Sequence, residues 1–293
     1  SIKYNVKLSG GSPVGVAVVY GDFLVGATGT VTLVDENKLL AFGHKFVHGG
    51  NVNYFMTDVD VVGPVPGLFG GMKMASVGSI IGRINQDRNS GVSGIIGQFP
   101  SVVPISVTVN GNNYNALIAY NENLVPKLGA VIAYSALGAH LDSEDLSGTV
   151  KVSFGIKTNV VDDGNLSREN MYYNSADVGQ LAVVELLQAL NLICENITAD
   201  SDILGIDVKM NFDPLRNTAS LVKVESEKKS VKPGEDIKLK VTLQPYRRKE
   251  IVIEVPYKVP LTAKEGAFVL DVHGGGFIPV TAVQQAGVVT PST

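Results

Sequence analysis

The sequence predicts a mainly β protein with a few helices, an α+β chain. Three observations carry that prediction. Gly supplies 32 of 293 residues, against a usual level of roughly 7%, and with 13 Pro and no Trp the composition favours turn-rich sheet over a helical bundle. Short β-branched runs broken by Gly recur through the first 120 residues. Alternating apolar and polar residues then return from about residue 204. Taken at about 150 residues per domain, the length corresponds to roughly two domains.

Hydrophobic residues make up 45% and charged residues 18%, enough apolar surface for a real core and against wholesale disorder. The net charge of −4 gives no general electrostatic hold on nucleic acid. No apolar run approaches the roughly 20 residues that span a bilayer, and no signal-peptide pattern opens the chain, so a soluble chain without a transmembrane segment is expected. The one Cys, Cys194, permits no internal disulfide, reads as a small buried hydrophobe and leaves the compartment open.

Ser1 to Val6 already read as strand, as in the middle of a longer chain. Residues 12–34 are short β-branched runs divided by Gly15, Gly21, Gly26 and Gly29. Asp35 to Lys38 is a polar hairpin tip, and Leu39 to Phe42 is its return strand. Strands are expected at 58–65, 79–84, 92–97 and 102–109; Asn110-Gly111 tolerates positive φ at both positions and predicts a tight hairpin with Tyr114 to Tyr120. Residues 1–120 therefore form one β domain.

A helix–strand segment follows over 121–203. Pro126 suits a first helical turn, and Leu128, Val131, Ile132, Leu137 and Leu141 keep a helical spacing that Gly129 and Gly138 weaken. Val150, Val152, Phe154 and Ile156 alternate on one strand face. A helix over 176–197 has Asn174 and Ser175 as cap candidates and an apolar stripe interrupted by Glu185. Residues 204–280 read as an immunoglobulin-like β-sandwich: short alternating strands at 206–210, 220–227, 237–243, 251–255 and 268–272, with a Lys232-Pro233-Gly234-Glu235 turn between them. Tyr246 to Lys249 is a solvated basic hairpin, and 281–293 a loose tail.

The sharpest chemical feature is Ala41-Phe42-Gly43-His44-Lys45-Phe46, where a strand ends in Gly-His. Glycine lets backbone approach closely there, and an imidazole is the natural activator of a serine hydroxyl at neutral pH. His44 and His48 stand four apart, but Gly49-Gly50 argues against the helix a zinc pair needs and no third ligand is obvious, so no metal or cofactor is expected. Asp35, Asp58, Asp60 and Asp87 are candidate acids to orient the imidazole, with Asp58 and Asp60 on one strand face. Gly91, Gly94 and Gly97 read as turn and tight-packing positions, or as an oxyanion loop.

The run Gly26-Ala27-Thr28-Gly29-Thr30-Val31-Thr32, its hairpin, and Ala41-Phe42-Gly43-His44 together resemble the sporulation stage IV protein B family of serine endopeptidases. Ile81 to Arg88 and Gly91 to Gly97 resemble that family's Ile-Gly-x-Ile and Gly-x-x-Gly-x-x-Gly block, so the likeness covers about residues 10–110. The resemblance implies a trypsin-like β-barrel, His44 as catalytic base, a protein or peptide substrate, no cofactor, and a bacterial envelope or other extracytoplasmic location. The family's nucleophile turn, Gly-Met-Ser-Gly-Ser-Pro, is not found after His44.

Two readings of Ser9-Gly10-Gly11-Ser12-Pro13 remain open. In one, Ser9 is the nucleophile activated by His44, with Asp58 among the acids available to it. In the other the segment is structural and the family's Ser and Asp lie outside these residues, which agrees better with the eight residues that precede Ser9. The expectation is a serine endopeptidase-like domain that is incomplete in this chain; the alternative is a non-catalytic surface or scaffolding module binding protein or glycan.

Overall fold

The computed structural model describes residues 6–65, 72–143, 145–267 and 269–273. Eight strands come first: β1 (Pro13–Gly21), β2 (Val25–Asp35), β3 (Lys38–Ala41), β4 (Gly50–Val65), β5 (Met72–Arg88), β6 (Gly91–Ile96), β7 (Val102–Val109) and β8 (Asn112–Ala119). Helix α1 (Val125–Leu141), β9 (Gly148–Thr158), β10 (Asn165–Asn174) and α2 (Val178–Cys194) follow. The last strands are β11 (Ile203–Asp213), β12 (Ala219–Ser226), β13 (Asp236–Pro245) and β14 (Ile251–Lys258). The protein is mainly β, as its composition and patterning predict. It divides into two compact units, one of residues 1–144, 152–169 and 179–211, the other of residues 145–151, 170–178 and 212–293.

In the first unit six strands close on themselves. β1 pairs with β2, β2 with β3, β3 with β6, β6 with β5, β5 with β4, and β4 returns to β1, every pair antiparallel. Closure leaves no free edge within the ring. It also explains why β1 reads as an apolar run rather than an alternation: Val14, Val16, Ala17, Val18 and Val19 are all buried. Gly94 brings Met56 and Ile84 together, since a Cβ there would meet the Met56 Cε at 2.7 Å and the Ile84 Cδ1 at 2.9 Å.

β1 is shared. Gly15 to Ala17 face β4, and Val19 to Gly21 face β8. From β8 the sheet runs open in the order β8-β7-β11-β9-β10. The hairpin of β7 and β8 turns at Asn110 (φ 46°) and Gly111 (φ 91°), both in the left-handed region, as that dipeptide predicts. α1 packs on β7 and β8, and its Ile132, Ala133, Ala136 and Leu137 are buried. Gly129, which weakened the helix prediction, has a reason here: a Cβ would lie 3.1 Å from Leu190 of α2 and 3.3 Å from Ile206 of β11. Glu185, which interrupts the α2 stripe, pairs with Arg168 at 2.9 Å. Asn174 Oδ1 accepts from the Ala176 N–H at 2.8 Å, the capping role its position predicted.

The second unit holds a three-stranded antiparallel sheet, β12-β13-β14. Lys232 to Glu235 makes the expected turn, closed by the Glu235 N–H on the Lys232 carbonyl at 3.1 Å with Gly234 at φ 80°. Arg216 lies against the rings of Tyr173 and Tyr246, 4.8 and 4.2 Å from their centroids.

Three expectations need correction. Ile203 to Asp213, assigned to the C-terminal strand series, instead pairs in parallel with β7, because Ile206, Val208 and Met210 continue the buried face of that sheet. Val269 to Val272 is not a strand, and Val269 is exposed. β10 is a strand that the patterning did not announce, its alternation broken by Arg168, Glu169 and Asn170. Of the five strands expected over residues 204–280, β12, β13 and β14 form one sheet. The strand expected over residues 1–5 and the tail at 281–293 lie outside the described residues.

Candidate functional site

His44 stands on the loop that joins β3 to β4, at the rim of the closed strands. The chain leaves β3 through two successive left-handed residues, Phe42 (φ 73°) and Gly43 (φ 73°). A phenylalanine in that region is uncommon and marks a local constraint. Two contacts impose it: the Phe42 N–H donates to the Thr30 carbonyl at 2.9 Å, and the Phe42 ring lies over Gly29. A Cβ at Gly29 would sit 2.4 Å from that ring, so position 29 has room only for glycine. The ring in turn stacks beside His44 with centroids 5.7 Å apart.

The imidazole is exposed, and its Nδ1 lies 2.7 Å from the Lys45 carbonyl oxygen. A carbonyl can only accept, so Nδ1 carries a proton, and in the neutral ring the lone pair falls on Nε2. That is the tautomer a general base requires.

Beneath the same loop lies Asp87, at the end of β5 and fully buried. Its Oδ1 accepts from the Phe46 N–H at 2.8 Å; its Oδ2 accepts from Val47 and Gly49 at 2.8 and 3.0 Å. Burial alone would raise this carboxyl, but the loop N–H groups of Gly49, Val47, Phe46 and His48 outweigh it together and hold the acid below its ordinary value. Tyr54, edge-on to Phe46 at 6.0 Å, floors the loop; burial first and the Asp87 charge second push its phenol up, so it stays neutral.

No family model, curated protein or solved structure matches the chain. The site is therefore read from its own chemistry.

Of the sequence-predicted residues, the fold brings His44 and Asp87 to one loop and leaves the others elsewhere. Asp58 and Asp60 lie eight and ten positions along β4 from Gly50, and their neighbours Val59 and Val61 line a cleft shared with Gly29, beneath the Phe42 ring. Bulges interrupt the register of β4 around Thr57, so the two do not share a simple face: Asp58 is half-buried over Gly78, and Asp60 is exposed. Asp35 lies in the β2–β3 hairpin opposite Lys38.

Ser9 and Ser12 form a turn in front of β1. The Ser12 N–H donates to the Ser9 carbonyl at 3.0 Å, the Ser9 N–H to Ser12 Oγ at 3.1 Å, and the two hydroxyl oxygens are 3.4 Å apart. The turn and the His44 loop flank the same stretch of β2, since the Val31 N–H donates to Ser12 on one side and Phe42 donates to Thr30 on the other. Two strand spacings, roughly 9–10 Å of backbone, separate them, and among the described residues no hydrogen bond joins either serine to His44. A cleft of about 370 Å³ opens beside the turn, lined by Gly11, Pro13, Gly29, Val59, Val61 and Ala75.

His48 is exposed with φ 63°, and among the described residues no three His, Cys, Asp or Glu side chains gather as a metal set would. Among the same residues no helix is long and apolar enough to cross a membrane. Cys194 is half-buried at the end of α2; burial, then the charges of Glu122 and Glu195, push its thiol up to about 11. It is no nucleophile at neutral pH.

Sequence reasoning missed the Lys45 carbonyl as the partner of Nδ1, because a backbone acceptor leaves no trace in residue type. It also missed that Asp87 points inward. The register shift between Ile84 and Gln86 turns Asp87 toward the interior, and a strict period of two does not show that.

Proposed function

We propose that residues 1–120 are a serine endopeptidase-like domain of the sporulation stage IV protein B type, from a bacterial envelope protein, with His44 as general base. The finer fold reading goes with it: the six closed strands as a trypsin-like barrel, and the C-terminal sheet as part of an immunoglobulin-like module. The single observation that carries the reading is the hydrogen bond from His44 Nδ1 to the Lys45 carbonyl, which leaves Nε2 free on an exposed loop.

In such a site Nε2 takes the proton of a serine hydroxyl as that oxygen attacks a peptide carbonyl, then returns it to the leaving amine. The substrate is a protein or peptide, and the chemistry needs no cofactor. Among the described residues no serine is bonded to His44 and no carboxylate to its Nδ1, so this reading assigns neither a nucleophile nor a directly bonded acid here. Ser9 is hydrogen-bonded to Ser12, and His44 Nδ1 to the Lys45 carbonyl, so this reading gives neither Ser9 nor Asp58 a part.

A second reading has its own observation. The serine turn is closed on itself and makes no bond to His44, which favours a non-catalytic surface or scaffolding module that binds protein or glycan. A fluorophosphonate serine probe separates the two when applied to this chain, to the natural gene product, and to His44→Ala of each. The peptidase reading expects the gene product to be labelled, the His44→Ala variant to lose the label, and this chain to stay unlabelled. A folded gene product that never labels sinks that reading and leaves the binding module. Labelling of this chain that is lost in Ser9→Ala restores Ser9 as nucleophile.

A further inference from the structure

We propose that Asp87 is a positioning residue that orients the His44 imidazole through the Lys45–Phe46 peptide group. The inference rests on the reading of His44 as a base. In a serine peptidase a carboxylate ordinarily accepts directly from Nδ1. Here Nδ1 donates to the Lys45 carbonyl at 2.7 Å, and the N–H on the other end of that same peptide group, Phe46 N–H, donates to Asp87 Oδ1 at 2.8 Å.

A trans peptide is planar, with its C=O and N–H pointing in opposite directions, and no cis bond is found among the described residues. Anchoring the N–H on Asp87 therefore aims the carbonyl away from the barrel, at the imidazole. The arrangement runs Asp87 carboxylate, Phe46 N–H, Lys45 C=O, His44 Nδ1–H, and ends at the free Nε2. Hydrogen bonds in such a chain polarise one another, so a negative charge at one end makes the carbonyl at the other a better acceptor.

Three features show that the carboxylate serves this loop. Asp87 is fully buried, a costly place for a charge. Among the described residues no Lys, Arg or His makes an ion pair with it. Its bonded donors are the backbone N–H groups of Phe46, Val47 and Gly49, which begin two residues after His44. The conformation those bonds hold includes left-handed His48 (φ 63°) and Gly50 (φ 74°).

The test reads the imidazole by ¹⁵N NMR in this chain, with no need for activity. In the unmodified protein a coupling across the hydrogen bond from the Phe46 nitrogen to the Asp87 carboxylate carbon is expected; its absence overturns the proposal without any variant. In Asp87→Asn the amide cannot accept all three N–H groups, and the ratio of Nε2–H to Nδ1–H tautomer at His44 is expected to rise about tenfold, the effect of one net hydrogen bond lost. Asp87→Glu, which keeps the charge, is expected to recover part of the Nδ1–H population. An unchanged ratio in folded Asp87→Asn, judged by its amide spectrum, overturns the proposal. A shifted ratio in a protein whose gene product never takes the serine probe would leave the relay standing and remove only the peptidase reading.

Discussion

The closed strands of the first unit and the three-stranded sheet of the second bury their apolar residues to different extents. In the ring formed by β1 to β6, Ile81, Ile84, Val92 and Met56 are fully buried. In the second unit, Ile237, Leu239, Val241 and Leu243 of β13 share a face with Tyr257, Val255, Ile253 and Ile251 of β14; Leu239 and Val241 are buried, whereas Ile251 is 46% exposed and Ile253 41%. The charged face beneath carries Lys238 paired with Glu254 at 2.9 Å. A pocket of about 780 Å³ lies within this unit, lined by Val224, Ile237, Leu239, Val259, Leu270 and Val272 among others. Along the apolar face burial falls from the central strand β13 to the edge strand β14, whereas every strand of the closed ring has a neighbour on both sides. His44 stands at the rim of the closed ring, which has no such edge strand.

The largest effect that tests this comparison is Ile84→Ala. It should cost about 2–5 kcal/mol, as large-to-small changes in packed cores do, and lower the urea midpoint of the first unit. Asp87→Ala comes next at roughly 2–3 kcal/mol, because it strands three part-buried loop donors that bonded a charged acceptor. Gly29→Ala should cost about 1–3 kcal/mol through overpacking against Phe42 and broaden the His44 resonances as the ring moves. Ile253→Ala, on the exposed edge strand β14, should stay within about 0.5–1 kcal/mol. A cost at Ile253 equal to that at Ile84 would mean the face is covered in solution and would end the contrast.

Acid gives a subtler reading of the same loop. Asp87 is held below its ordinary value, so the stability it contributes is fully present above the unfolded Asp value of about 3.9 and is lost as pH falls further, through the lowered folded value. Thermal unfolding followed from pH 6 downward should show that loss in the natural sequence and a flatter profile in Asp87→Asn. The smallest effect is at Cys194: with its thiol near 11, alkylation by iodoacetamide at pH 7 should be far slower than for a free cysteine and should quicken on unfolding.

Much of the fold could be read directly from residue types. The turns at Asn110-Gly111 and at Lys232 to Glu235, the cap at Asn174 and the buried face of Val150 to Ile156 all follow from local chemistry that tertiary packing did not override. What escaped depended on distant pairing. Nothing local says that β11 joins β7 in parallel, or that β1 divides its edge between β4 and β8. The candidate site shows the same division. His44 was visible as a Gly-His at a strand end, whereas its partner is a main-chain oxygen and the aspartate beneath it is turned inward by a bulge.

The most direct test of the account is the protonation pattern of one ring in the unmodified chain. A two-dimensional ¹H–¹⁵N long-range correlation spectrum at neutral pH, assigned to His44 by its loss in His44→Ala, reports which nitrogen carries the proton. The account predicts the Nδ1–H form with a bare Nε2. A ring protonated at Nε2 would contradict it, because the lone pair would then face the Lys45 carbonyl and no base would face a substrate.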